Sequence, residues 1–232
     1  MVTGAILQAR MSSQRLPGKV LRNIHGKPML QYLLERLEHC LFLDEIVIAT
    51  SVHKNDDPVS VFCDEHNIAC YRGSLEDVAG RFLGVLEEYE WQVFVRVNGD
   101  SPLLDPHLID QGIMLYNKGR FDIVTNVFPR TFPLGQSVEV VNGDTFRRYY
   151  SRLEAGADHE HVTAFIYRNP DEYKIRNFTS QNDYSTIHLS VDTPHDLEVV
   201  SRIIGSMDRP HWEYALKDIL DIYNRIAGNR EG

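Results

Sequence analysis

The chain has 232 residues, 43% of them hydrophobic, so it is long enough to bury a continuous core and to fold as one α/β domain. Its 24 Lys and Arg residues against 33 Asp and Glu residues give a net charge of -9, and no basic block is present, which argues against general nucleic-acid binding. An anionic small substrate is still compatible with this charge, because a few cations at one cleft reverse the local potential.

The start of the chain and its cysteines indicate the compartment. Residues 1–7 place no positive region ahead of an apolar stretch, so they do not have the pattern of a signal peptide. No apolar run approaches the roughly 20 residues that span a bilayer. Cys40, Cys63 and Cys70 lack the paired spacings of a zinc or redox site and are expected to be reduced core residues. We therefore expect a cytoplasmic protein that does not bind a membrane.

Short apolar runs alternate with helical patterns over the first half of the chain. Strands are predicted over residues 3–9, 45–50, 69–71, 93–98 and 122–126. Helices are predicted between them over residues 28–37, 57–66, 75–89 and 106–117. This alternation implies parallel strands joined by crossovers, with helices on both faces of the sheet.

The second half of the chain is less regular. A loop over residues 130–137 is followed by predicted strands over 138–141, 173–178 and 186–191, and by predicted helices over 144–153 and 160–168 and from Pro194 and His211. The sequence contains no repeat, low-complexity tract or Gly/Ser linker. A single domain over residues 1–232 is therefore expected.

The loop from Arg10 to Lys19 gathers cations and hydroxyls directly after the first predicted strand. Ligands of parallel sheets sit at the carboxyl ends of the strands, where this loop lies. Arg10, Arg15 and Lys19 could neutralise the charge of a triphosphate, while Ser12 and Ser13 could orient it. A solvated basic surface loop is the alternative, and composition alone does not decide between the two.

Two aspartates also follow predicted strands. Asp100 lies in the stretch NGDSPLLD and Asp192 in the stretch SVDTPHDL, where Thr193 is a suitable helix cap. The Asp100 carboxylate could bind a hard cation that also contacts phosphates. Turn or capping chemistry is the alternative for Asp100, and a structural role is expected for Asp196 in the first helical turn.

The stretch LQARMSSQRLPGKVL at residues 7–21, followed by GKPM at residues 26–29, resembles the signature of the cytidylyltransferases that make CMP-sugars, such as the 3-deoxy-manno-octulosonate and acylneuraminate enzymes. It is most similar to the branch of the spore coat polysaccharide biosynthesis protein SpsF. The resemblance implies a Rossmann-like nucleotide-diphospho-sugar transferase fold with a mostly parallel mixed sheet, Mg²⁺ as the cofactor and a homodimer. It also implies transfer of CMP from CTP to a sugar or 2-keto sugar acid, with release of pyrophosphate.

The resemblance further assigns residues to parts of the site. Residues 1–127 would bind the nucleotide, and residues 128–232 would bind the acceptor, carry the second metal ligand and form the dimer. The expected catalytic residues are Arg10, Arg15, Lys19 and Asp100, and the expected metal ligands are Asp100 and Asp192. The expected nucleotide-binding residues are Leu7, Gln8, Ala9, Arg10, Ser12, Ser13, Arg15, Lys19, Arg72, Gly73, Ser74, Arg81, Asn98 and Asp100. The expected acceptor-binding residues are Arg130, Gln136, Glu139, His161 and Thr163.

Several local features leave alternatives open. Ser74 followed by Glu76 or Asp77 is also an ordinary helix start. Residues 134–137, LGQS, depart from the Asp-Gly-Leu-Asp of many relatives, so the acceptor sugar is not specified. His159 and His161 are two apart on a predicted helix and do not share a face, which argues against a zinc site. A metal-dependent glycosyltransferase that uses a nucleotide sugar is the alternative enzyme. A non-catalytic nucleotide-binding protein is less compatible with Lys19, Asp100 and Asp192 occurring together.

Overall fold

The computed structural model describes residues 2–154 and 156–228, so Met1, Ala155 and residues 229–232 of the expected domain lie outside the described part. The strands are β1 (Thr3–Gln8), β2 (Asn23–Ile24), β3 (Lys27–Pro28), β4 (Glu45–Ser51), β5 (Ala69–Gly73), β6 (Val93–Asn98), β7 (Ile123–Thr125), β8 (Glu139–Asn142) and β9 (Ile175–Asn177). The helices are α1 (Met29–Leu37), α2 (Asp57–His66), α3 (Val78–Glu88), α4 (Pro106–Asn117), α5 (Gly143–Tyr150), α6 (Ala157–Glu160), α7 (Ala164–Arg168), α8 (Pro194–Gly205) and α9 (Leu216–Gly228).

A seven-stranded sheet in the order β5-β4-β1-β6-β8-β7-β9 forms the centre of the molecule. The central strand β1 pairs in parallel with β4 and β6, and β5 extends the sheet in parallel beyond β4. Strand β8 runs antiparallel between β6 and β7, and β9 returns in parallel beside β7. Helices flank the sheet. These strand pairings confirm the predicted mostly parallel mixed sheet. The division into a nucleotide half and an acceptor half stays a prediction.

Apolar side chains fill both faces of the sheet, which explains why its strands are nearly continuous hydrophobic runs. Side chains alternate between faces along a strand, so Ile6 and Leu7 of β1 enter different core clusters. Leu7 packs with residues of α1, α4, α8 and α9, whereas Ile6 packs with residues of α3 and α5. Both are completely buried. Of the three cysteines, which are all free, Cys63 and Cys40 are buried as predicted, whereas Cys70 is only half-buried. Within the described residues, no helix combines the length and hydropathy needed to cross a bilayer.

The prediction of a strand over residues 186–191 is wrong, because this segment is not part of the sheet. It is extended, but it forms only an isolated bridge between His188 and Leu134. The segment lies beside a loop. The backbone of Leu134 in that loop exchanges hydrogen bonds with the backbones of Ile187 and Leu189 at 2.9 and 2.8 Å. The backbone N–H of Val191 donates to the carbonyl of Asp100 at 2.8 Å. The segment therefore joins two loops, and no regular ladder can form along it.

The predicted helix over residues 160–168 is also interrupted. Helix α6 ends at Glu160 and α7 begins at Ala164. Between them Val162 is fully buried, and its carbonyl accepts a hydrogen bond from the Tyr149 hydroxyl at 2.6 Å, so tertiary packing replaces the helical partner. The predicted helix start at residue 75 moves to Val78, because the carboxylate of Asp77 caps the backbone N–H of Gly80 at 2.6 Å. From His211 there is only one 3₁₀ turn, before α9 begins at Leu216.

A fully buried arginine joins three parts of the chain behind the sheet. Arg36 of α1 donates to the carbonyls of Leu104 and Tyr214, each at 2.7 Å, and also to the carbonyl of His211. Burial lowers the pKa of Arg36 to about 10, and the charge of nearby Asp105 opposes that shift. The side chain therefore holds the loop after β6 and the C-terminal segment against α1.

Arg36→Met is expected to reduce the free energy of unfolding by about 3 kcal/mol, because it leaves several buried carbonyls without a donor. Urea unfolding followed by circular dichroism measures this as a lower midpoint with an unchanged slope. Arg120→Met, at an exposed position, is the control and should change stability by less than about 0.5 kcal/mol. Equal midpoints for the two variants would contradict the role of Arg36.

Candidate active site

A cavity of about 700 Å³ opens at the carboxyl ends of β1 and β6. The loops after these strands form two walls, Leu75 and Glu76 form a third, and Glu160 closes one side. Nine of the residues predicted for the site line it: Gln8, Arg10, Ser12, Ser13, Arg15, Lys19, Asn98, Asp100 and Asp192. The fold thus brings the predicted cationic loop and both aspartates to one place.

The loop after β1 is folded around the backbone of Met11. The Met11 carbonyl accepts hydrogen bonds from the N–H groups of Ser13 and Gly18 at 3.0 and 2.9 Å. Gly18 has φ +69°, a left-handed conformation in which a side chain is strained. This turn brings the next residue, Lys19, back over the cavity.

A buried carboxylate anchors the same loop from below. Asp56 is completely buried, and its Oδ1 accepts the backbone N–H of Met11 at 2.7 Å while its Oδ2 accepts the hydroxyl of Ser51. Asp56 was not among the residues predicted for the site. Its position before a helix with Pro58 in the first turn indicates an ordinary helix start, and no local signal connects it with residue 11.

Lys19 lies between the two predicted metal ligands. Its Nζ donates to Asp100 Oδ2 at 2.8 Å and to Asp192 Oδ1 at 2.9 Å. Burial by itself lowers the pKa of Lys19, but the two carboxylates raise it by more, so the net pKa is raised and the ammonium stays charged. The hydrogen bond from Val191 to the Asp100 backbone holds the two aspartates side by side.

Asp192 is further oriented by the start of α8. Thr193 and Asp196 form a capping box, which confirms the predicted cap and the structural role of Asp196. The Asp196 carboxylate also accepts the backbone N–H of Asp192 at 3.0 Å. The helix start therefore fixes the backbone that presents Asp192 to the cavity.

The arginines of the loop form more exposed ion pairs. Arg10 contacts Glu160 at 3.1 Å and Arg15 contacts Asp192 at 3.2 Å, with 40% and 67% of the arginine side chains exposed. Exposed pairs of this kind contribute little stability and exchange readily for another anion. Three cations of the cavity wall face four carboxylates, since Glu76 lines the cavity as well. A polyphosphate would therefore need an additional cation in this site.

The two carboxylates fit a divalent cation. Oxygens from Asp100 and Asp192 already converge on one positive group, the Lys19 ammonium, which marks a cation position. Among the described residues no cluster of three or more His, Cys, Asp or Glu side chains forms a self-contained metal site. Mg²⁺ commonly binds through one or two carboxylates together with phosphate oxygens and water, which matches this donor set.

A smaller cavity of about 260 Å³ adjoins the first and is lined by Arg10, Arg81, Arg96, His161 and Asp100 among others. Arg96 contacts the carboxylate of buried Glu139 at 2.6 Å. Burial raises the pKa of Glu139, but the charge of Arg96 and the hydroxyls of Tyr167 and Thr163 lower it by more, so the net pKa is lowered. Arg96 and Tyr167 are functional candidates that the sequence analysis missed.

The predicted acceptor residues do not all reach this second cavity. His161 lines it, whereas Glu139 and Thr163 lie behind Arg96 and hydrogen-bond to each other at 2.7 Å. Arg130 donates to the Ser137 hydroxyl at 3.1 Å. Gln136 is fully buried. Its amide oxygen accepts the backbone N–H of Asp105, and its amide nitrogen donates to the backbone carbonyl of Leu103. The positions of Arg130 and Gln136 do not support direct contact with a ligand in either cavity.

Some predicted nucleotide contacts also point elsewhere. Leu7 is completely buried in the core. The guanidinium of Arg72 pairs with Asp57 at 2.6 Å and with the Ser51 carbonyl at 3.0 Å, so it faces α2. Gly73 and Ser74 precede the wall residue Leu75 without lining either cavity themselves. These placements follow from partners that the local sequence does not reveal.

Arg81 supports that wall from underneath. It is buried, and its Nη1 donates to the carbonyls of Ser74 and Leu75 at 2.6 and 3.3 Å. Burial, together with the charge of Arg10, lowers the pKa of Arg81. None of the described residues accepts a hydrogen bond from its Nε, and Arg81 and Ala9 both line the smaller cavity. Arg81 therefore holds the wall and lines the smaller cavity, and its contact with a nucleotide stays a prediction.

A histidine positions the short helix α6 at the cavities. His159 Nδ1 lies 2.8 Å from the Asp77 carboxylate, which also accepts the Tyr150 hydroxyl at 2.6 Å. Burial raises the pKa of Asp77, but these two partners and the backbone N–H of Gly80 together lower it by more, so the net pKa is lowered. This contact fixes the segment that presents Glu160 to the first cavity and His161 to the second.

The chain is similar to several known proteins over most of its length. A sequence profile described as cytidylyltransferase matches residues 4–218. The spore coat polysaccharide biosynthesis protein SpsF of Bacillus subtilis is 32% identical over 231 residues, which cover 95% of this chain and 93% of SpsF. The 3-deoxy-manno-octulosonate cytidylyltransferase of Pelobacter propionicus is 37% identical over 109 residues, which cover 47% of this chain and 42% of the enzyme.

Solved structures show the same fold. A cytidylyltransferase from Leptospira borgpetersenii superposes with a TM-score of 0.90 and 29% identity, covering 100% of this chain and 96% of that one. A CMP:2-keto-3-deoxy-manno-octonic acid synthetase complexed with CTP superposes with a TM-score of 0.68 and 19% identity, covering 88% and 99% of the two chains. At that lower identity the second likeness concerns the fold alone.

Asp56→Ala is expected to weaken nucleoside triphosphate binding about tenfold, because the Met11 N–H loses its buried acceptor and the loop loses its anchor. Asp56→Asn is the matched control, since its amide oxygen can still accept that N–H. Isothermal titration calorimetry with CTP and Mg²⁺ compares the three proteins. The anchoring role is wrong if the alanine variant binds as tightly as the wild type.

Proposed function

This chain belongs to the cytidylyltransferase family, and on that premise we propose that it transfers CMP from CTP to a sugar or 2-keto sugar acid and releases pyrophosphate. One observation carries the proposal: Asp100 and Asp192 converge on a cation position beside the loop that presents Arg10 and Arg15. The name of the 3-deoxy-manno-octulosonate cytidylyltransferase relative supports CTP and a sugar acid as substrates. The name of SpsF supports a role in surface polysaccharide or glycan biosynthesis.

The loop residues would stabilise the triphosphate while an acceptor hydroxyl attacks the α-phosphorus in line. Arg10 and Arg15 exchange their exposed carboxylate partners for phosphate oxygens, and Lys19 adds a mobile point charge. Ser12, Ser13 and the backbone around Gly18 orient the phosphate chain. In such reactions catalysis consists mainly of positioning and charge stabilisation, which these groups supply to the departing pyrophosphate.

Asp100 and Asp192 would hold Mg²⁺, which supplies positive charge to the phosphate oxygens. Their backbones are fixed before any ligand arrives, through the Val191 hydrogen bond and the cap of α8. That preorganisation lets two segments that are distant in the chain present carboxylates at one point without reordering during the reaction.

The smaller cavity would receive the acceptor. Arg96 and His161 line it, and Asp100 lines both cavities, so an acceptor bound there lies next to the phosphate site. Arg96 is held by Glu139, which is itself held by Thr163 and Tyr167, so the guanidinium is oriented from behind. This arrangement suits an acceptor with an anionic or hydroxyl-rich face.

A cytoplasmic homodimer is part of the same proposal, and size-exclusion chromatography with light scattering tests the dimer.

A pyrophosphate-release assay with Mg²⁺ tests the activity by crossing the four ribonucleoside triphosphates with a panel of 2-keto sugar acids and neutral sugars. We expect release to be fastest with CTP and to require an acceptor, because the reaction couples the two. Release of a nucleoside diphosphate from a nucleotide sugar would instead identify a glycosyltransferase. Silence across the whole panel would count against the proposal.

Asp100→Asn is expected to lower turnover at least about 100-fold, because it removes the charge that holds a cation at the phosphates while keeping the shape of the side chain. Asp144→Asn, which changes an exposed carboxylate paired with Arg147, is the control and should be active. Steady-state kinetics measures turnover, and thermal unfolding checks that both variants fold. Unchanged turnover in Asp100→Asn would contradict the metal assignment.

A further inference from the structure

The ammonium of Lys19 lies where Asp100 and Asp192, the two proposed cation ligands, come together. Its Nζ is 2.8 Å from Asp100 and 2.9 Å from Asp192, and only 11% of the side chain is exposed. No other described cation bridges this pair, since Arg15 contacts only Asp192, at 3.2 Å. The site is therefore already occupied by a positive group that belongs to the chain itself.

A divalent cation and this ammonium cannot share the same carboxylate oxygens. Mg²⁺ approaches its oxygen ligands to about 2.0–2.1 Å, so an ion held by the two oxygens that face Lys19 would lie at or next to the position of Nζ. Like charges at such a distance repel strongly in a partly buried site. A divalent cation at this position therefore takes the place of the ammonium.

We propose that Lys19 is an internal counter-ion that occupies the divalent-cation position of the ligand-free site and leaves Asp100 and Asp192 when a divalent cation binds. This inference rests on the proposed function, which makes the two aspartates metal ligands. The lysine side chain is a flexible four-carbon stem, so its ammonium can move while the backbone stays in place. The backbone is held independently by the hydrogen bond from Lys19 N to the Leu16 carbonyl at 3.2 Å.

The exchange couples cation binding to triphosphate binding. In the ligand-free site Lys19 neutralises the carboxylates and is not available to an anion. Once displaced, its ammonium is a free cation at the mouth of the same cavity, next to Arg15 and the serines of the loop. The divalent cation increases the affinity for a triphosphate by releasing Lys19. By thermodynamic reciprocity, the triphosphate that binds the released Lys19 increases the affinity for the divalent cation by that same factor. The protein alone should bind divalent cations weakly.

Mn²⁺ binding to the nucleotide-free protein tests the inference, with free Mn²⁺ measured by electron paramagnetic resonance. Lys19→Met should bind Mn²⁺ at least tenfold more tightly than the wild type, because the competing ammonium is gone. Arg15→Met is the matched control: it also removes a positive charge beside Asp192, but one that does not bridge the two carboxylates, so its gain should stay below threefold. Thermal unfolding confirms that each variant is folded.

Reductive methylation followed by mass spectrometry gives a second readout on the wild-type protein. Lys19 should be methylated slowly without metal, because its ammonium is bound by two carboxylates, and at least fivefold faster with saturating Mn²⁺. Lys27, whose ammonium pairs with Glu35 at 2.7 Å outside both cavities, should react at the same rate in both conditions. A Lys19 that stays protected with Mn²⁺ bound would overturn the displacement.

The outcomes separate this inference from the proposed function. Equal Mn²⁺ affinities in the wild type and Lys19→Met, together with cation-dependent pyrophosphate release, overturn the counter-ion role and leave the function intact. Absence of Mn²⁺ binding in every variant, together with pyrophosphate release that needs no divalent cation, overturns both the inference and the assignment of Asp100 and Asp192 as ligands.

Discussion

The contact of one ammonium with two carboxylates organises the site of this protein. Lys19 follows β1, Asp100 follows β6 and Asp192 precedes α8, so the contact requires three distant segments to meet at one edge of the sheet. Parallel pairing of β1 with β6 brings the first two together, because the carboxyl ends of parallel strands lie at the same edge. The third arrives through the backbone hydrogen bond between Val191 and Asp100.

Buried and half-buried polar groups hold the segments around that contact. Asp56 anchors the loop after β1, Arg36 anchors the loop after β6, and the contact between Asp77 and His159 anchors α6. Each joins residues far apart in the chain and has its polar atoms bound to specific partners. Such interactions add modest net stability, but leaving one partner unpaired is costly. Their main effect here is to define the geometry at the cavity, where small displacements of charge matter.

The first half of the fold could be predicted from the sequence because local and tertiary preferences coincide there. Strand β1 is apolar on both faces, and α1 and α4 begin close to a proline, so periodicity and helix-start chemistry suffice. The predicted elements were wrong where the backbone forms hydrogen bonds with a distant part of the chain instead of a local partner. The Val162 carbonyl accepts a hydrogen bond from the Tyr149 hydroxyl, and the predicted helix is interrupted there. The residues near His188 pair with a loop and not with a strand.

The sequence by itself determined the chemistry of the site: a loop with Arg10, Arg15 and Lys19 after the first strand, and aspartates at 100 and 192. Its resemblance to cytidylyltransferases also determined the family, which the profile match over residues 4–218 confirmed. Only the tertiary structure decided which side chains face the cavity. Arg72 and Gln136 are turned away by Asp57 and by buried backbone groups, while Arg96 is turned inward by Glu139. The physical reason is that a buried polar group takes the partner that packing provides, and sequence distance does not encode that partner.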